Sequence, residues 1–180
     1  TAVGRWLSAA LAARFDAAEM GSPGGLGGTW GGELRLALGQ GALGFAVSAG
    51  VLAPTVSSFG SVAVREQRFP LAAVVSLGRE LPRGLRLAGE LGLAVVPFTL
   101  RGEGLDTVAP ATRLDVGARL GGELRLPLLA EHLAPFIGLH AEYFPRDYAF
   151  AVDPLGDVGT SSHLWLGASL GAAFEVDRRR

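Results

Sequence analysis

From Ala111 to Pro127 the chain alternates between two kinds of side chain. Leu114, Val116, Ala118, Leu120, Gly122, Leu124 and Leu126 form one series; Arg113, Asp115, Gly117, Arg119, Gly121, Glu123 and Arg125 form the other. Successive side chains of a β-strand point to opposite faces, so this stretch has one apolar face and one charged face. At about 100° per residue a helix would scatter those charges round its surface. The run also exceeds the roughly 9–11 tilted residues that carry a strand across a bilayer.

The same alternation predicts seven more strands. The first spans Ala2–Asp16, with Val3, Leu7, Ala9, Leu11, Ala13 and Phe15 opposed to Gly4, Trp6, Ser8, Ala10, Ala12 and Arg14. Arg5 falls on the apolar side, near an end where a long side chain can reach the interface. Strands follow at Trp30–Gly39, Ala42–Ala53, Val62–Gly78 and Leu85–Phe98, with Pro70 marking a bulge or broken pairing in the third of these. Past Ala111–Pro127 come Leu133–Phe144 and Ser161–Val176.

The links alternate in length. Met20–Gly31, Pro54–Ser61, Thr99–Pro110 and Pro145–Thr160 read as long loops; Gly39–Gly41, Glu80–Gly84 and Leu128–His132 read as short turns. An even number of strands with long and short links in strict alternation predicts an all-β fold: an eight-stranded antiparallel up-and-down transmembrane β-barrel. Short turns and both termini then face the periplasm.

Composition sharpens this picture. Of 180 residues, 49% are hydrophobic and 18% charged, against about 25% charged in an ordinary soluble domain. The charge-free run Gly41–Val64 is interrupted by Pro54 and Thr-Val-Ser-Ser-Phe-Gly, so it does not read as a membrane helix. A hydrophobic chain with strand-period patterning suits a membrane barrel. A net charge of −1 gives no electrostatic case for nucleic acid, and the lack of cysteine excludes disulfides and thiol catalysis within the segment. One domain over residues 1–180 is expected, as a processed mature chain or the C-terminal part of a longer precursor.

A soluble lipocalin-like barrel would turn the apolar face inward, and Gly4-Arg5-Trp6 matches the short GxW signature of that class. The opposite face, however, is mostly Gly, Ala and Ser with interspersed charges, which suits a crowded narrow interior. No helical segment follows the last strand. The pattern resembles the small outer-membrane β-barrels of Gram-negative bacteria, the OmpA/OmpX-like architecture, over nearly the whole chain. Its most specific piece is His163-Leu-Trp-Leu-Gly-Ala-Ser-Leu-Gly-Ala-Ala-Phe174, similar to the aromatic-ended signal read by barrel-assembly machinery. Here Glu-Val-Asp-Arg-Arg-Arg follows Phe174, whereas family members often end on the aromatic.

On this reading Arg35, Arg86, Glu90, Arg113, Asp115, Arg119, Glu123, Arg125, His140 and Glu142 point into the lumen as a charge network. The lumen of an eight-stranded barrel is just filled by side chains, so opposite charges there pair into a plug. The alternative is a narrow polar pore for small solutes. His140, Glu142, Ser162 and His163 invite comparison with a lipid-cleaving hydrolase site, but three of them fall on the inward phase and no Gly-x-Ser-x-Gly elbow occurs. His132 and His163 belong to opposite barrel ends, which argues against a shared metal site. Trp30, Phe59, Arg146, Asp147, Tyr148 and Phe150 are candidates for loop recognition, with interfacial girdle residues as the plainer account of the aromatics.

The expected role is non-enzymatic: an outer-membrane structural, anchoring or interaction protein with exposed loops and no cofactor or metal. Outer-membrane lipids, assembly machinery and an envelope protein are the expected partners. Pore, soluble ligand-binding barrel and lipid-modifying enzyme follow as alternatives in that order.

Overall fold

Each long alternating run forms a strand because its apolar and polar series satisfy the two environments of a closed sheet at once. The structure, a computed structural model, describes residues 5–19, 26–59, 62–103, 111–126, 132–146, 148–152 and 156–178. In chain order the strands are β1 (Arg5–Glu19), β2 (Leu26–Gln40), β3 (Leu43–Leu52), β4 (Thr55–Phe59), β5 (Val62–Arg68) and β6 (Leu71–Glu80). They continue as β7 (Arg86–Glu103), β8 (Ala111–Arg125), β9 (Leu133–Tyr143), β10 (Ala149–Val152), β11 (Gly156–Thr160) and β12 (Leu164–Arg178). All pairings are antiparallel and run β1-β2-β3-β6-β7-β8-β9-β12; β12 then pairs back onto β1, from Arg5↔Arg178 to Ala18↔Trp165. The barrel is therefore closed, with eight wall positions in up-and-down order.

Two tight turns are described, both at the same end. β2 and β3 are joined by Gly41–Ala42, where Gly41 takes φ 58°, a conformation open to glycine without steric cost. Between β6 and β7 a 3₁₀ turn at Pro82–Gly84 places Arg83 and Gly84 at φ 69° and 76°.

The opposite, loop-side end is more regular than the glycine and proline content suggests. β2 begins at Leu26, so Gly27 and Gly28, expected in a loop, pair with Ala18 and Ala17 of β1. A facing backbone ladder holds them in the sheet despite their weak strand preference. Likewise β7 runs to Glu103, because β5 pairs with it from Arg68↔Phe98 to Ala63↔Glu103. The Pro54–Ser61 segment contains β4, hairpinned onto β5, and the Pro145–Thr160 segment contains the β10–β11 hairpin.

The expected fourth strand is broken at Phe69–Pro70 into β5 and β6. Opposite the break lies Pro97 of β7, whose carbonyl accepts the Phe69 N–H at 2.9 Å. The Pro70 carbonyl accepts from Gly50 N–H at 2.7 Å. Neither proline has an N–H to leave unpaired, so the ladder changes partner here without losing a donor.

The two faces separate cleanly. Leu11, Leu77, Leu91 and Leu139 are 64–69% exposed on the outside, whereas Ala94 and Val96, on the inward phase of β7, are fully buried. The apolar face points outward, opposite to a soluble lipocalin, and forms a continuous surface far beyond the few hundred Å² normal for a soluble monomer. Phe15 and Trp30 sit opposite each other on neighbouring strands at its loop-side end, near the level of Tyr143, while Phe45 and Phe174 lie toward the turn side. This is the surface of a transmembrane barrel.

Leu91 lies midway along the outward run Leu87–Val95 of β7. Leu91→Arg is expected to destabilise the barrel by about 2–4 kcal/mol in phospholipid vesicles, and Leu91→Ala by much less, as read by urea titration of the folding equilibrium.

Candidate functional site: an ion-paired lumen

Eight strands enclose a space that side chains can just fill. The inward series supplies those side chains, and its small members (Ala10, Ala12, Ala37, Ala46 and Ala173, all buried) make room for long charged ones. The charges are stacked in layers.

The upper ion-paired layer centres on Arg14 of β1. Its guanidinium donates to Asp16 at 2.9 Å, to Glu33 of β2 at 2.8 Å and to Glu142 of β9 at 2.9 Å. Arg119 of β8 reaches the same Glu142 oxygen at 2.7 Å and lies 3.9 Å from Glu33. His140 Nε2 is 3.0 Å from Asp16. Arg14 is 2% exposed and Glu142 1%, so these charges are held by one another rather than by water.

A second layer lies toward the turns. Arg35 of β2 forks onto Glu90 of β7, one arm measuring 3.1 Å, and approaches Glu123 of β8 at 3.5 Å. Arg125 donates to Glu123 at 2.7 Å, to Ser8 at 3.3 Å and to Glu175 of β12. Five strands are thereby linked through side chains.

Aromatics bound both layers. On the loop side Arg68 lies with its Cζ 3.7 Å from the Trp165 ring and 5.6 Å from Phe144, and 3.7 Å from Glu66. Phe144 and Trp165 pack there with Ala18, Ala94 and Val96. On the turn side Arg86 lies 4.5 Å over the Trp6 ring.

Of the ten charges expected in the lumen, seven meet in these layers: Arg35, Glu90, Arg119, Glu123, Arg125, His140 and Glu142. Three do not. Arg113 has the inward phase but stands beyond the rim, exposed, donating to its own neighbour's Thr112 carbonyl at 3.2 Å. Arg86 is half-buried on Trp6 rather than in an ion pair among the described contacts. Asp115 is buried, but near the loop-side mouth and apart from both layers; its Oδ1 has no hydrogen-bond partner. Sequence reading missed Arg14, Asp16, Glu33, Arg68 and Glu175 as members, although all five carry the inward phase of their strands and alternation alone could have nominated them.

The recognition candidates scatter. Trp30 is 71% exposed on the lipid-facing surface. Arg146 is exposed, 6.0 Å from the Tyr148 ring, and Tyr148 bonds the Leu114 carbonyl at 2.7 Å while packing edge-on against Phe98. Asp147 and the side chains of Phe59 and Phe150 lie outside the described residues. The hydrolase constellation is not assembled: His140 and Glu142 are committed to Asp16, Arg14 and Arg119, and the Ser162 hydroxyl donates to the Leu164 carbonyl at 3.0 Å. His132 lies against Phe174 and His163 beside Tyr143, at opposite ends, and no metal-binding cluster occurs among the described residues.

This closed, charge-filled barrel defines a class, and solved structures of that class resemble it. A major outer membrane protein from Thermus thermophilus is similar with a TM-score of 0.59 at 17% identity, covering 93% of this chain and 99% of that one. Ail, the attachment invasion locus protein of Yersinia pestis, in complex with the heparin analogue sucrose octasulfate, gives 0.58 at 11%, covering 98% and 100%. Neisserial surface protein A gives 0.57 at 11%, covering 96% of each chain. At these identities the likeness is one of fold. No family model matches the chain, and no curated protein does.

Removing Arg14 would take the shared cation from three buried carboxylates, leaving them only His140 and Arg119. Arg14→Met is expected to cost about 3–5 kcal/mol of unfolding free energy. Because Arg14 and Glu142 share one network, Arg14→Met with Glu142→Met should cost less than the sum of the single changes by about 0.5–3 kcal/mol in a double-mutant cycle.

Proposed function

We propose that the chain is a single integral outer-membrane β-barrel domain with a non-enzymatic structural, anchoring or interaction role. One observation carries this reading: behind a continuous apolar exterior, the lumen is filled and ion-paired across its width at two levels. Such an interior gives the barrel rigidity and, among the described residues, sets ion pairs across the path a solute would take. The loop-side hairpins β4–β5 and β10–β11 then form the surface offered to the outside. Turns and termini face the periplasm. The membrane's lipids cover the outer face, assembly machinery acts during insertion, and an envelope protein is the expected partner of the loops.

The test is electrical and topological. In planar bilayers the reconstituted protein is expected to give no unitary conductance steps, and an epitope inserted within residues 104–110 should be reached by antibody on intact cells. Stable steps would replace the plug with a narrow pore, and an epitope reached only after permeabilisation would reverse the orientation.

A further inference from the structure

The lumen is not equally full along its length. Just on the turn side of the Arg35–Glu90 pair lies a cavity of about 10 Å³, bordered by Trp6, Arg35, Ser76, Arg86, Glu123 and Arg125 among others. That is the room one water requires. Arg35 is 9% exposed and its terminal nitrogens hold Glu90, yet its Nε has no hydrogen-bond partner. Buried N–H donors are satisfied as a rule, by protein or by an ordered water. Around the space Arg35, Arg86 and Arg125 are matched by Glu90, Glu123 and the Glu175 that binds Arg125. With the charges balanced, the fitting ligand is a small neutral acceptor.

The turn-side wall of this cavity is a fitted part. A Cβ on Gly39 would come within 2.5 Å of the Trp6 ring, and one on Gly44 within 2.8 Å, so the indole occupies a cradle that only glycine leaves open. Its Nε1 donates to the Gly41 carbonyl at 3.3 Å, in the β2–β3 turn. Arg86, half-buried, lies over the ring with its Cζ 4.5 Å from the centroid.

We propose that the turn-side end of the lumen is a blind, water-binding vestibule. Water enters past a lid made of Trp6 and Arg86 and is held in the cavity between Arg35, Ser76 and Arg125. Passage ends at the Arg35–Glu90 pair. The blind end rests on the closed-lumen reading given above; the lid and the water site do not.

The chain has no cysteine, so single thiols report cleanly. Ser76→Cys lines the cavity, and Ala94→Cys lies in the aromatic layer beyond the ion pairs. Both are placed in the full chain, reconstituted in phospholipid vesicles and exposed to 2-aminoethyl methanethiosulfonate. Heat-modifiable gel migration verifies the fold of each variant. Ser76→Cys should react slowly beneath the native lid and at least about tenfold faster with Trp6→Ala or with Arg86→Ala, as expected when a burying side chain is removed. Trp6→Phe should restore most of the protection, and Ala94→Cys should keep its rate throughout. Equal Ser76→Cys rates with and without the lid, or inertness in both, would overturn the vestibule. Acceleration of Ala94→Cys alongside Ser76→Cys would overturn the blind end and the closed-lumen reading with it. In solution NMR of the native chain, protons of the cavity-lining Trp6 and Ser76 should show cross-peaks to a long-lived water; their absence would overturn the water site.

Discussion

In hydrocarbon there is no water to satisfy a backbone N–H or C=O, so a sheet that enters a membrane must leave no edge within it. The pairing of β12 with β1 answers that requirement, and the rest of the molecule follows from it. Closing the sheet at eight wall positions makes an interior wide enough for side chains and too narrow for bulk solvent. Alternation then sorts the chain: leucine and valine mostly outward to lipid, and small, hydroxylated and charged residues inward with a few aromatics such as Phe136, Phe144 and Trp165. The familiar arrangement of a soluble protein is largely reversed, and the core is where the chain's ion pairs are concentrated.

A polar core brings a cost that only mutual pairing offsets. The lumen meets it by giving each central guanidinium more than one carboxylate: Arg14 has Asp16, Glu33 and Glu142, and Arg125 has Glu123 and Glu175. Some of these contacts join strands that are not neighbours in the wall, Arg14 of β1 to Glu142 of β9 and Arg125 of β8 to Glu175 of β12, and Arg35 of β2 reaches across to Glu90 of β7, so they brace the barrel across its lumen while backbone ladders brace it along its circumference. At both ends of the stack the pattern changes in the same way. Arg68 lies on Trp165 toward the loops and Arg86 on Trp6 toward the turns. Each closure combines a cation with an indole, which tolerates partial hydration better than a bare ion pair facing apolar wall.

The fold was legible in the chain because period-two alternation is both the signature of a strand and the cause of the two faces. The membership of the charge network was only partly legible. Phase says which way a residue points, but not how high it stands. Arg113 and Arg119 share a phase and differ by six positions along β8, which separates an exposed rim arginine from a buried one. Asp16 was placed at the very end of its strand in sequence, yet β1 continues to Glu19 and puts that carboxylate well inside. Strand ends were the weak point throughout, since Gly27, Gly28 and Thr99–Glu103 are held in register by the strands facing them rather than by their own preference.

The paired prolines at Pro70 and Pro97 have a consequence for how this surface can change over time. Below them β6 and β7 keep the membrane ladder; above them β5 takes over as the partner of β7, carrying β4 with it. The handover falls where neither proline has a donor to offer, so the outer hairpin is attached to the wall without being continuous with it. Insertions, deletions or exchanged sequences in that hairpin can accumulate without shifting the register of a single lipid-facing leucine. The barrel thus separates a part that the bilayer holds constant from a part that can be replaced, and the boundary between them is two residues wide.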